Sequence, residues 1–249
     1  MTTPDQVESL RALMTLIETD INNRRVFPRL NTHLDVVLLA FLSKSLSVTK
    51  AIAVLVEQGF VSEAFALSRT QLEILFTARY IANKDCHERA KQYLEFLWKE
   101  RDNWLKIVKK YFPSIQEKGL SAEERAIASQ HSNPHWWTGG GGHAKRIAME
   151  QDTHEISEAG EAMTCESDYE IYYKWASEHV HVSVRALDGH IGDRWEPFTV
   201  GPRHNYLVTA GRVLAVAAEH LGKTVVVVYR CLKQAQPEGL DTALYKAMG

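Results

Sequence analysis

The sequence predicts an all-α protein: a single bundle of about seven helices with one glycine- and tryptophan-rich loop. Apolar residues recur at helical spacing along most of the chain, and the alternation typical of a half-buried strand is almost absent. Short turn signals separate the helical stretches, there is no internal repeat, and no linker is long enough to divide domains. A globular chain of 249 residues buries about 70 to 75% of its unfolded surface, so a sizeable core forms without staples. One domain is expected over residues 1–236, followed by a loosely attached tail, 237–249, after Pro237.

The first helix is expected over 5–23, after Pro4, with Val7, Leu10, Leu13, Met14 and Ile17 on one stripe. A long helix over 29–58 carries Leu34, Val37, Leu38, Phe41, Leu42, Leu46, Ile52 and Leu55, and Gly59 ends it. The third, 61–83, is apolar on most faces, which places it at the centre of the bundle. The fourth, 86–112, bears Tyr93, Phe96, Leu97, Trp104 and Tyr111 and stops at Pro113. SAEE from Ser121 reads as a capping box that opens a short helix. The stretch HSNPHWWTGGGGHAKR, 131–146, cannot be helical throughout. A helix near 144–158, an aromatic helix over 167–187, a turn-rich loop over 188–204 and a last long helix over 204–233 complete the chain.

Lysine and arginine number 29 against 31 aspartate and glutamate, so no global positive charge exists to hold a polyanion by counterion release. Extensive DNA or RNA coating is therefore disfavoured. Cys86, Cys165 and Cys231 are odd in number and form no CxxC pair, which points to reduced thiols and a cytoplasmic protein. The first residues, MTTPDQVESLRALM, lack the basic start and apolar run of a secretory signal. Two apolar runs, 36–56 and 213–232, are interrupted every few positions by polar or charged residues. A span needs about 20 nearly uninterrupted apolar residues, so both read as buried helices and no membrane partner is expected. Large aromatic helices allow a homodimer, although no heptad seam demands one.

The segment YYKWASEHVHVS, 172–183, places two histidines, a glutamate and two serines on an aromatic helix. At about 100° per residue, Tyr169, Tyr173, Ser177 and His181 share one face. Trp175, Ala176, Val180 and Val184 mark the buried side, with Glu178 and His179 outward. His181 then reads either as a core histidine satisfied by Ser177 or as a functional group beside the core. The 63–82 helix plants Arg69 and Glu73 one turn apart among apolar residues. A guanidinium held inside must be paired, and Glu73 is the obvious mate.

Arg69-x3-Glu73 in an apolar helix, Trp137-Thr138-Gly139 in a loop, and Tyr173-x3-Ser177-x3-His181 together resemble a prokaryotic domain-of-unknown-function family, family five-six-seven-seven. The likeness covers roughly residues 35 to 190 and departs from the family pattern in the GGGG run. It implies an all-helical fold, singles out Arg69, Glu73, Trp137, Ser177 and His181, and implies no activity.

Several chemistries fit parts of this constellation. A metal-independent RNase of the HEPN type uses Arg-x4–6-His, and Arg125…His131 and Arg185…His190 match it. About two such matches arise by chance at this composition, so they carry little. An RNase built on Arg69, Glu73 and His181 is the better version, because guanidinium binds phosphate oxygens and histidine titrates near neutrality. Glu178-x2-His181 has di-iron spacing, but the second Glu-x2-His is missing, so no metal or other cofactor is expected. The glycine run lacks the order of a phosphate-binding Walker loop, yet Lys145 and Arg146 at a helix start suit an anion. Trp137 and its neighbours stack a base or cap the bundle. The leading reading is a binding or sensing module in which Arg69, Glu73, Tyr173, Ser177 and His181, roofed by Trp137 and Thr138, meet a small anionic ligand, a nucleotide or an RNA end. The rivals are the RNase and a structural interaction protein whose cluster sets helix register.

Overall fold

A computed structural model describes residues 3–23, 32–130, 168–180 and 207–248. The glycine-rich loop of 131–146, the helix expected near 144–158 and the loop over 188–204 lie outside the described residues. The described elements are α1 (Thr3–Asn23), α2 (His33–Glu57), α3 (Val61–Asn83), α4 (Cys86–Tyr111), α5 (Ala122–Ser129), a π-helical turn (Tyr169–Tyr173) running into α6 (Lys174–Val180), α7 (Leu207–Cys231) and α8 (Leu240–Met248). The chain is all-α, with no strand among the described residues.

Local chemistry sets the boundaries. α2 starts at His33 and not at 29, because the Thr32 hydroxyl accepts from the Asp35 N–H while the Asp35 carboxylate accepts from the Thr32 N–H. That capping box satisfies two donors that a helix start leaves open. Ser121 and Glu124 do the same for α5, as SAEE predicts. α2 ends where Gly59 turns to φ +82, with Phe60 N–H bonding Leu55 O and Gly59 N–H bonding Val56 O. That pair of bonds is a Schellman motif, and a side chain at Gly59 would be strained in it.

α3 lies between α2 and α7, which also touch each other, and α6 crosses it on a further side. Leu72, Leu75, Phe76 and Ile81 of α3 are sealed together with Leu38, Leu42 and Ile52 of α2 and Tyr229 of α7. Burial of each large aliphatic side chain contributes about 1.5 to 3 kcal/mol at the upper bound. One polar bridge crosses this core: the Gln71 amide donates to Thr49 Oγ1 at 2.8 Å and to Ala217 O at 2.9 Å, tying α2 and α7 to α3. α2 is long and apolar enough to cross a membrane by composition alone, with mean hydropathy 1.6. Here its apolar face is occupied by α3 and α7.

Two further sequence expectations change. The tail is not loose, because α8 packs on α1 and α7 and buries Leu240 and Ala247. Gly222 of α7 allows the close approach, since a Cβ there would lie 2.5 Å from a Leu244 methyl. Turn signals at Pro237 conceal a nine-residue helix whose apolar stripe is too short to stand out by period. Val180, expected on the buried side, is 49% exposed although Ala176 one turn earlier is sealed. α4 contributes only Ala90 and Val108 as buried residues, and its outer half leaves Trp104 and Tyr111 in solvent.

Candidate functional site

Tyr169 to Tyr173 do not form ordinary α-helix. The Lys174 N–H bonds Tyr169 O, five residues back, so the segment is a π turn, a rare form that recurs at functional sites. It stacks the Tyr169 and Tyr173 rings, with centroids 5.0 Å apart and planes at 18°. It also sends Tyr173 toward α3 and Tyr172 toward α7: Tyr173 lies 6.4 Å from Phe76, and Tyr172 meets the His220 ring edge-on at 5.8 Å.

On the α3 side, Arg69 Nε donates to Glu73 Oε1 at 3.1 Å, and Tyr173 Oη donates to the same oxygen at 2.9 Å. The guanidinium carbon sits 5.0 Å from the centre of the Tyr173 ring. Burial, with the Glu73 carboxylate next, pushes the Tyr173 phenol up to about 12. Burial lowers the Arg69 value, but the neighbouring Tyr173 and Glu73 outweigh it and raise the group above its ordinary range. Arg69 and Glu73 are not deeply buried, with side chains 27% and 39% exposed. Their faces open beside the α6 crossing, a site that the apolar surroundings in sequence did not reveal. Ser177 joins the same face, but its hydroxyl donates to Tyr173 O at 2.6 Å, a bond within its own helix.

Arg69, Glu73, Tyr173 and Ser177 are thus brought together. His181, Trp137, Thr138, Lys145 and Arg146 lie outside the described residues.

A second cluster sits on the opposite side of the π turn, and sequence reasoning missed it. Asp168 and His220 are both fully buried, and Asp168 Oδ2 accepts from Lys223 Nζ at 3.0 Å. Lys223 also meets Glu219 at 2.8 Å. His220 Nε2 is 3.9 Å from Asp168 Oδ1, beyond hydrogen-bond reach. Burial raises the Asp168 carboxyl, but His220 and Lys223 overcome this and hold it below the usual carboxylate range. Burial lowers Lys223, and Asp168 with Glu219 raises it overall. Neither ring nitrogen of His220 has a hydrogen-bond partner among the described residues. The legible signal was EHLGK, 219–223, a set of polar side chains at helical spacing inside an otherwise apolar helix. It pins the 168–180 segment to α7 from inside, while Arg69 and Glu73 hold the segment's outer face to α3.

Among the described residues no three histidine, cysteine, aspartate or glutamate side chains group to hold a metal. What the outer face offers is a guanidinium fixed by a carboxylate and an aromatic ring, a geometry suited to oxyanions.

An all-helical bundle with a π-turn segment clamped between two of its helices is the class of protein that fold and site define. The chain belongs to the family of unknown function DUF5677, which matches residues 35–197 and so takes in α2 to α6 with both clusters' partners up to Val180. No curated protein and no solved structure matches it.

Proposed function

We propose that this chain is a ligand-binding or sensing module whose outer site, at Arg69, takes a small anion such as the phosphate of a nucleotide. The single observation that carries the reading is the fixed guanidinium. Arg69 is 27% exposed, bonded through Nε to Glu73 and laid against the Tyr173 ring. One of its five donors goes to Glu73, and a guanidinium held this way presents its donors in the fixed fork that gives the bidentate contact phosphate prefers. Preorganisation by Glu73 and Tyr173 removes much of the rotamer entropy that an isolated surface arginine loses on binding. Lys145, Arg146, Trp137, Thr138 and His181 belong to this reading by the sequence pattern alone, and all five lie outside the described residues.

The test is calorimetric titration of inorganic phosphate and adenosine monophosphate into wild type, Arg69→Gln and Glu73→Gln. A charge-assisted contact is worth about 1.5 to 3 kcal/mol, so Arg69→Gln is expected to weaken binding by about 10- to 100-fold. Because the pair is part-exposed, the unfolding free energy of the same variant should move by no more than about 1 kcal/mol. Wild type that binds neither probe, or equal affinity in wild type and Arg69→Gln, ends the reading.

A further inference from the structure

The outer end of α4 carries an exposed apolar ridge that neither cluster uses. Trp104, Ile107 and Tyr111 fall on one helical face at i, i+3 and i+7, and they are 49%, 54% and 61% exposed. The ridge continues into the turn after the helix, where Phe112 and Ile115 are 56% and 51% exposed. The Ile115 N–H bonds Phe112 O at 3.0 Å, with Pro113 second in the turn, so the tip is a formed structure. The buried Val108 and Leu120 anchor it from beneath, where α4 packs on α5.

Two lysines of the last turn, Lys109 and Lys110, border the ridge, while Lys118 faces the Glu124 carboxylate of α5. Lys106, Lys109, Lys110 and Lys118 are all exposed, against Glu117 alone between residues 104 and 118, on a chain whose net charge is −2. Lys106 is paired to Asp102 at 2.6 Å, and Lys110 lies over the Tyr111 ring at 4.7 Å. Contiguous exposed apolar residues of this size mark a contact surface.

We propose that this tip docks on an anionic lipid surface, with Phe112 and Ile115 entering the headgroup boundary and the lysines resting on acidic headgroups. Charge complementarity selects that partner. A two-fold contact between copies sets patch against patch, which gathers four lysines, Lys109 and Lys110 of each copy, into one interface. Aliphatic Ile107 and Ile115 offer a nucleic acid nothing to bond, whereas an interfacial layer takes aliphatic tips, tryptophan and tyrosine together. No spanning helix is required: the contact is peripheral, and its strength rises with buried apolar area and surface charge.

The experiment is co-sedimentation of the full chain with phosphatidylserine–phosphatidylcholine vesicles and with phosphatidylcholine vesicles, alongside sedimentation velocity without lipid. Binding is expected only to the anionic vesicles and should fade as salt rises. Lys109→Gln with Lys110→Gln should lower partitioning about thirtyfold, at about a tenfold loss per 1.4 kcal/mol and about 1 kcal/mol per lysine. Phe112→Ser with Ile115→Ser should lower it too, with an unchanged thermal midpoint because both side chains stand in solvent. Equal binding to neutral vesicles, no binding to either, or both double variants binding like wild type overturns the proposal. So does a stable dimer that Phe112→Ser splits, or an RNA that binds through Lys109 and Lys110 where vesicles do not.

Discussion

Removing the carboxylate of Asp168 tests whether the inner cluster holds the 168–180 segment in place. Asp168 is fully buried and bonded to Lys223 at 3.0 Å, and Lys223 is 20% exposed. Breaking a buried ion pair costs about 3 to 5 kcal/mol, because the remaining charge stays without its partner. The residual exposure of Lys223, and its second carboxylate at Glu219, bring Asp168→Ala to the lower end, about 3 kcal/mol. For a chain of this length each kcal/mol moves the thermal midpoint by about 2 to 4 °C, so a fall of about 6 to 12 °C is expected. Replacing both partners, as Asp168→Leu with Lys223→Met, should recover part of that loss, since apolar substitutes of similar volume leave no charge stranded at the buried pair and only the part-exposed Glu219 loses its mate. Urea unfolding at neutral pH followed by circular dichroism measures wild type and both variants. A cost below about 1 kcal/mol for Asp168→Ala, or a double variant less stable than Asp168→Ala, would refute the reasoning. The pH dependence gives a second reading. A carboxyl held low in the folded protein contributes stability that is full above its unfolded value of about 3.9 and is lost as pH falls through the lower folded value. The gap between wild type and Asp168→Asn should therefore hold from neutral pH to just above 4 and close below it.

Two further outcomes follow from other parts of the structure. The Tyr173 phenol, pushed up to about 12, should remain protonated in an ultraviolet titration after ordinary tyrosines have ionised near 10, and Glu73→Gln should bring it down; a Tyr173 that titrates with the bulk in wild type contradicts the Glu73 contact. A raised value also means that its stabilising share is complete below about 10 and disappears as pH climbs through about 12. Deleting residues 237–249 removes the buried Leu240 and Ala247 and uncovers α1 and α7, so a loss of at least about 2 kcal/mol is expected by urea unfolding, where an unchanged midpoint would return the tail to a loose appendage.

The sequence by itself determined the helical class and most helix boundaries, because both are local. The capping box at Ser121, the glycine after α2 and the apolar stripes of α1 to α3 are written within a few residues of where they act, while the box at Thr32 passed unread and left α2 expected from 29. It also marked Arg69 with Glu73 and linked them to Tyr173, since polar residues in an apolar helix stand out by spacing. It did not decide how deep that pair sits, because burial depends on where α6 crosses α3, and no period records a crossing. Nor did it show that Asp168 pairs with Lys223 across 55 positions, that one extra residue in a π turn divides Tyr172 from Tyr173 between two helices, or that Trp104 and Tyr111 at the end of α4 would stand about half exposed. Those features arise only when distant segments meet, and the free energy that selects the meeting is shared among all of them.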